Sequence, residues 1–328
     1  MAVLTIDMKN SEVSVTGPTL KVAHPTMPTA SFPIAHLTRV VIRADAQINA
    51  SALTALSVAG VALTVLGGRI GERVAHLVGP SHNDARIRIA QIIASCSAER
   101  TSALAKHFVS QKIKSQSRLI KLMQGQRPDL RKPFFDAQIT MSKCAESVAN
   151  AVSLDAIRGL EGAAAAAYFP AYFAAFPESF AVTKRSRRPP TDPINAALSL
   201  GYTLLQSIAV RASWQAGLDP AIGFLHGLSH GRASLACDLV EPWRSKVDHF
   251  VWELFRTRVL TESHFGRDAL SGGCIMGKTA RSHFYALWQE RANFMDRAML
   301  RHARVINKHL QSHLTGQLAS QFSDFEAS

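Results

Sequence analysis

The stretch VGPSHNDAR, residues 78–86, separates two different textures of sequence. Gly79, Pro80, Ser81, Asn83 and Asp84 are turn formers and carry no strand or helix period. Upstream, VLTIDM (3–8) and EVSVTG (12–17) alternate apolar and polar residues, with KNS between them as a turn. LKVAHP (20–25) ends at a proline, and SFPIAHLTRVVIRAD (31–45) holds the β-branched run Val40-Val41-Ile42. Ser51 is placed to cap a short helix reaching Val58, and VALTVLGG (61–68) then reads as a buried strand. Downstream the text becomes helical. SALAKHFVSQKIKSQSRLIKLMQ (102–124) puts Val109, Ile113, Ile120 and Met123 on one stripe and Lys114, Arg118 and Lys121 on another.

The fold class expected from this contrast is α+β: an N-terminal β-rich, β-sandwich-like domain over 1–80, a linker at 81–90, an all-α C-terminal domain over 91–315 and a flexible tail at 316–328. Further helices are expected near 136–158, 159–170, 193–215, 235–258 and 279–314. TKRSRRPPTDP (183–193) combines four cations with three prolines and cannot be a helix interior. It reads as a basic loop.

Charge narrows the function. The 328 residues carry 37 Lys and Arg against 24 Asp and Glu, a formal +13, and +11 of it lies after residue 83. Such a chain partners nucleic acid or an anionic membrane, or has a merely basic surface. ASALTALSVAGVALTVLGG (50–68) carries several Ser, Thr and Gly residues, and GAAAAAYFPAYFAAF (162–176) is short and broken by Pro170, so neither reads as a membrane span. Nucleic acid gains accordingly. Cys96, Cys144, Cys237 and Cys274 are scattered, as in a reducing compartment, and MAVLTIDMKN lacks the pattern of a secretory signal. A cytoplasmic location is expected.

GGCIMGKT (272–279) matches the phosphate-loop pattern G-x-x-x-x-G-K-[ST]. A working phosphate loop follows a buried strand, whereas TESHFGRDALS (261–271) is polar and reads as no strand. No apolar run ending in Asp follows to hold magnesium, so no nucleotide cofactor is expected.

Two other stretches hold polar groups where they are costly. Glu161 opens the alanine run LEGAAAAAYF, with Ala164, Ala165 and Tyr168 facing a core on the same helix. A carboxylate there is either a dipole partner or a ligand. In GLDPAIGFLHGLSHGRASLACDLVEPWR (217–244), His226 ends an apolar run, and Asp238 and Glu241 stand three apart on one helix face. Two like charges there call for a cation, met equally by a divalent metal or by Arg232 and Arg244. One imidazole with two or three carboxylates suits Mg²⁺ or Mn²⁺ better than zinc. With a basic surface, such a site suits phosphoryl transfer on nucleic acid.

GLEGAAAAAYF, RSRRPPTDPINAALSLGYTLL, GLDPAIGFLHGLSHGRASLACDLVEPWR and VDHFVWELF occur in an order that resembles the CRISPR-associated spacer-acquisition integrases, the first of the Cas proteins. The resemblance implies a metal-dependent DNA integrase and endonuclease of CRISPR adaptation. In that family a protospacer 3′-hydroxyl attacks a phosphodiester at the end of a repeat. It implies Glu161, His226 and Glu241 as metal ligands for Mg²⁺ or Mn²⁺, with Asp238 as a further catalytic carboxylate, either behind the ligands or on a second metal. It implies a homodimer that joins a small ferredoxin-like second Cas protein and binds double-stranded DNA. The expected DNA contacts are Lys114, Arg118, Lys121, Tyr168, Lys184, Arg185, Arg187, Arg188, Asn195, Arg232 and Arg244. Here the third ligand is Glu where the family often has Asp. The rival readings are a structure-specific nuclease on branched DNA and a non-enzymatic basic DNA-binding protein.

Overall fold

The computed structural model describes residues 2–67, 73–77 and 84–313. In chain order the N-terminal strands are β1 (Ala2–Ile6), β2 (Ser11–Thr16), β3 (Thr19–His24), β4 (Met27–Pro33), β5 (Leu37–Ile42) and β6 (Ala46–Ile48). Helix α1 (Ala50–Val58), β7 (Ala62–Gly67) and β8 (Arg73–Leu77) complete that region. Then come α2 (Ala85–Cys96), α3 (Ala98–Gln126), α4 (Arg131–Asn150), α5 (Leu154–Ala174), α6 (Pro193–Gln215), α7 (Ser234–Val240), α8 (Arg244–Arg256), the strands β9 (Phe265–Arg267) and β10 (Cys274–Met276), and α9 (Lys278–Ser312). A strand-built N-terminal region followed by a helical one is the expected α+β class.

The described residues divide into two compact units. The first takes the N-terminal strands together with Tyr172–Ser207 and Lys246–Asp296. Its strands form two four-stranded sheets, ordered β1-β5-β7-β8 and β4-β3-β2-β6. Strands β1, β5 and β7 run parallel, and β8 closes that sheet antiparallel to β7. The inward sides of both sheets and of α1 share one core, with Val13 and Leu20 from one sheet, Val40, Ile42 and Leu63 from the other, and Ala52 and Leu56 from the helix. Asn49, not Ser51, caps α1: its side chain accepts from the Ala52 amide at 3.1 Å, and the Ser51 hydroxyl donates to the Asn49 carboxamide.

The unit does not stop at residue 80, because β5 needs a partner from far along the chain. Arg39, buried on β5, makes two 2.7 Å contacts with the Asp296 carboxylate of α9. Gln289 donates to the Val3 carbonyl, and Arg281 pairs with Asp7 at 2.7 Å. A buried guanidinium without such a carboxylate would be strongly destabilising. The sequential boundary of the β-rich domain is thus not the boundary of its compact unit.

The second unit comprises α2 to α4, α5 up to Ala171, Ile208–Ser245 and α9 from Arg297. Helix α2 begins inside the stretch read as the 81–90 linker: Asp84 accepts from the Arg86 amide at 2.9 Å, and Ile87 and Ala90 are buried. Helix α3 is amphipathic as expected, with Phe108, Val109, Ile113, Ile120 and Met123 buried and Lys114, Arg118 and Lys121 exposed. The helix expected over 235–258 is interrupted. Pro242 has no amide to donate, and a 3₁₀ turn at Glu241–Trp243 separates α7 from α8. The expected tail at 316–328 lies outside the described residues.

The phosphate-loop match is a hairpin. Strands β9 and β10 pair antiparallel, with Ile275 opposite Gly266, so part of TESHFGRDALS is a strand after all. The turn between them is tied by Asp268, which accepts from the Ser271 amide and hydroxyl. The Gly272, Cys274 and Gly277 amides donate to Asp268, Pro190 and His264 carbonyls. Those donors are spent inside the protein and cannot cradle a phosphate.

Candidate metal centre

The site lies within the second unit, where α3, α5, α7, the turn after α7 and the loop before α7 each contribute a side chain. Glu161 stands on α5 at the edge of a buried stripe formed by Ala164, Tyr168 and Ala171. Glu241 opens the 3₁₀ turn after α7 and is 4% exposed. Lys112 meets both. Its ammonium pairs with the Glu161 carboxylate and lies 2.5 Å from Glu241 Oε2. Two carboxylates from distant parts of the chain thus share a single cation. Arg244 takes the other oxygen of Glu241 at 2.9 Å. Burial pushes the Glu241 carboxyl up, but Arg244 and Lys112 overcome it and hold the group down at about 2.

His226 is fixed from a different direction. Asp238, fully buried on α7, accepts from the Phe224, Leu225 and His226 amides at 2.6, 3.0 and 2.9 Å. It also accepts from His226 Nδ1 at 2.6 Å. A carboxylate only accepts, so Nδ1 carries the proton, and in the neutral ring Nε2 keeps its lone pair. The same carboxylate therefore shapes the loop and sets the tautomer of the side chain that the loop carries. Close approach of backbone makes this possible at Gly223, where a Cβ would lie 2.7 Å from the Ser234 carbonyl carbon and 2.8 Å from the His226 carbonyl oxygen. The loop has two further anchors. Gln91 of α2 donates to the Asp219 and Ile222 carbonyls at 2.9 and 2.7 Å, and Arg158 of α5 donates to the Leu225 carbonyl at 2.8 Å.

The geometry bears on several of the expected roles. Asp238 and Glu241 do not share a cation, because α7 ends between them and they face different partners. Both oxygens of Asp238 are occupied by the loop, which favours the role behind the ligands over that on a second metal. Among the described residues, no three His, Cys, Asp or Glu side chains form a group that could hold a metal ion, and the Lys112 ammonium pairs with both Glu161 and Glu241. The donor types nevertheless fit a hard divalent cation: two carboxylates already gathered on one positive charge, and an imidazole nitrogen left free by its neighbour.

The expected DNA contacts also divide. Tyr168 is fully buried, as its place on the Ala164 stripe requires, and offers no face to a ligand. Asn195 is fully buried too. Its amide donates to the Lys184 carbonyl and to Asp192, and its oxygen accepts from Arg185 at 2.8 Å and from the Ser186 amide. It is the clamp of the basic loop. Arg185 is further committed to Ser199 and to the ring of Tyr202. Arg232 binds the Gly227 carbonyl and Ser234, and Arg244 binds Glu241. Lys114, Arg118, Lys121, Lys184, Arg187 and Arg188 are exposed. No helix among the described residues is long and apolar enough to cross a membrane.

Lys112 was not among the expected site residues, although a signal existed. It falls on the buried stripe of α3, between Phe108 and Gln116, where a cation needs a carboxylate partner.

Residues 4–290 match the family model described as CRISPR associated protein Cas1. A relative from Thermodesulfovibrio yellowstonii, CRISPR-associated endonuclease Cas1 1, is 37% identical over 291 residues, covering 88% of this chain and 91% of that one. A casposase bound to integration product has the same fold, with a TM-score of 0.82 and 21% identity over 95% of this chain and 91% of that one. A Cas6-RT-Cas1–Cas2 complex includes a chain with a TM-score of 0.79 and 21% identity, covering 95% of this chain and 35% of that one.

Proposed function

The chain belongs to the Cas1 family of CRISPR-associated endonucleases, and we propose that it joins protospacer DNA to a repeat by metal-dependent strand transfer at Glu161, His226 and Glu241. The observation that carries this reading is the meeting of Glu161 and Glu241 on one cation. Both carboxylates would hold a divalent ion, Mg²⁺ or Mn²⁺, and His226 would add Nε2. Such an ion polarises a phosphodiester and makes a nearby hydroxyl a better nucleophile. The chain's own residues prepare the site: Asp238 aims the imidazole, Arg244 keeps Glu241 ionised, and Gln91 and Arg158 hold the loop that carries His226.

The exposed cations Lys114, Arg118, Lys121, Lys184, Arg187 and Arg188 would bind the backbone of double-stranded DNA. The casposase bound to integration product and the Cas6-RT-Cas1–Cas2 complex support an integration reaction on DNA and Cas2 as a partner. A homodimer and a cytoplasmic setting complete the proposal.

The test is integration of a labelled protospacer duplex into a supercoiled repeat plasmid in Mn²⁺. Glu161→Ala and His226→Ala should abolish joined products while the far-UV spectrum is kept. Full activity in either variant would defeat the assignment. Cleaved but never joined products from the native chain would favour the branched-DNA nuclease.

A further inference from the structure

We propose that Lys112 is a built-in competitor of the divalent ion, holding Glu161 and Glu241 together and leaving their oxygens when the metal arrives. The inference rests on the metal site proposed above and concerns what that site must give up.

The Lys112 side chain is 8% exposed and lies on the apolar face of α3. An ammonium in such a place is tolerated only when paired, and its two carboxylates are the proposed ligands. Glu241 is itself buried and has Arg244 on its second oxygen, so Lys112 bridges to Glu161 rather than merely neutralising Glu241. Without that bridge, the buried Glu241 carboxylate and the half-buried Glu161 carboxylate would face each other, and like charges repel. The lysine thus keeps them at a separation that one cation can span.

The same contact opposes metal binding. A divalent ion and an ammonium repel, and both need the same carboxylate oxygens at contact distance. They cannot both occupy them. The flexible four-carbon stem lets Lys112 withdraw without moving α3. Breaking two ion pairs is therefore part of the free energy of metal binding and lowers the apparent affinity. Arg244 differs, because it approaches Glu241 from within its own turn and does not bridge to Glu161.

The experiment is a Mn²⁺ titration, read by the EPR signal of the free ion, on the full chain after chelation. The variants are Lys112→Met, Lys112→Gln and Glu161→Gln. The site lost in Glu161→Gln should bind Mn²⁺ at least about tenfold more tightly in Lys112→Met than in the native chain, a change of roughly 1.4 kcal/mol. In EDTA, Lys112→Met should melt below the native chain, and Lys112→Met combined with Glu161→Gln should regain part of that loss. If Lys112→Met does not fold, Lys112→Gln carries the same comparison.

A measurement on the native chain needs no variant. Reductive methylation of Lys112, read by peptide mass spectrometry, should rise several-fold when Mn²⁺ is added. Unchanged or weaker Mn²⁺ affinity in the lysine variants, or methylation indifferent to Mn²⁺, overturns the competition while leaving the metal site standing. Absence of any Glu161-dependent Mn²⁺ binding in every protein overturns both.

Discussion

Asp238 has the most partners of the residues at the site. It accepts three backbone amides and one imidazole proton, all inside the protein. Asp238→Asn would set an amide donor against some of these donors and loosen His226. Losing a buried charged acceptor of this kind costs about 3 kcal/mol. Second-layer partners of metal-binding histidines typically matter about 10- to 100-fold in metal affinity. Asp238→Asn is therefore expected to melt earlier and to weaken Mn²⁺ binding within that range, checked by calorimetry and by titration. Native affinity in a folded variant would show that His226 is aimed by something else. His226 stood out in the sequence because a histidine ended an apolar run, and Glu241 because a second carboxylate stood three residues from the first, but their role as ligands came from the resemblance. For Asp238 the resemblance offered a place behind the ligands or on a second metal, but its hold on the loop was not legible, because its partners are backbone amides that meet it only once the 217–233 loop has closed. Lys112 was hidden differently. It stands in KIKSQSR, where the cations around it read as a solvated face, and only its 3.6-residue phase distinguishes it from Lys114.

Between elements, the contact of α3 with the later part of α9 carries a titration. His107 and His302 approach through their Nε2 atoms at 3.3 Å, with the Phe108 ring 5.9 Å from His302. Burial, with His107 beside it, pushes the His302 imidazole down to about 4. Burial, with His309 and Lys114 nearby, lowers His107 as well. Above about pH 6.5 His302 is neutral whether the chain is folded or not, so it exerts no pH effect. As the pH falls from there towards 4, the unfolded chain takes up a proton that the folded chain refuses, and stability drops by up to about 3 kcal/mol. His302→Gln removes this titration, so its melting temperature should fall less between pH 7.5 and pH 5 than that of the native chain. Parallel falls in both proteins would show that the pair does not titrate in this way. At this scale helices with a strong period, such as α3, α6 and α9, were legible in the sequence. It missed β9 and β10, because a three-residue strand has no period to detect, and the break at Pro242 was run over because the apolar pattern continues across it.

For the molecule as a whole, the excess of 37 basic over 24 acidic residues was the first pointer to nucleic acid. Cations that stay exposed act through counterion release, and each phosphate contact adds about 0.9 to the slope of log affinity against log salt. Substituting Lys114, Arg118 and Lys121 together by Gln should reduce that slope by about 2 to 3 for duplex DNA, if each makes one contact. Fluorescence anisotropy across a salt series measures it, and an unchanged slope would make this stripe an ordinary solvated face. Arg185 and Asn195 should behave differently. Both are spent holding the basic loop, so their loss should lower stability as well as binding. The contrast between strand text before residue 78 and helix text after residue 86 was enough to give the α+β class. It could not reveal that Arg39 would find its carboxylate on α9, because a pairing 257 residues apart leaves no local trace.

The most direct measurement of the central claim is an anomalous difference map from crystals soaked in Mn²⁺. The account predicts one strong peak bounded by Glu161, Glu241 and His226 Nε2, with the Lys112 ammonium turned away from both carboxylates. A protein that performs strand transfer in the same Mn²⁺ buffer but shows no peak there, or shows its peak at other side chains, would contradict it.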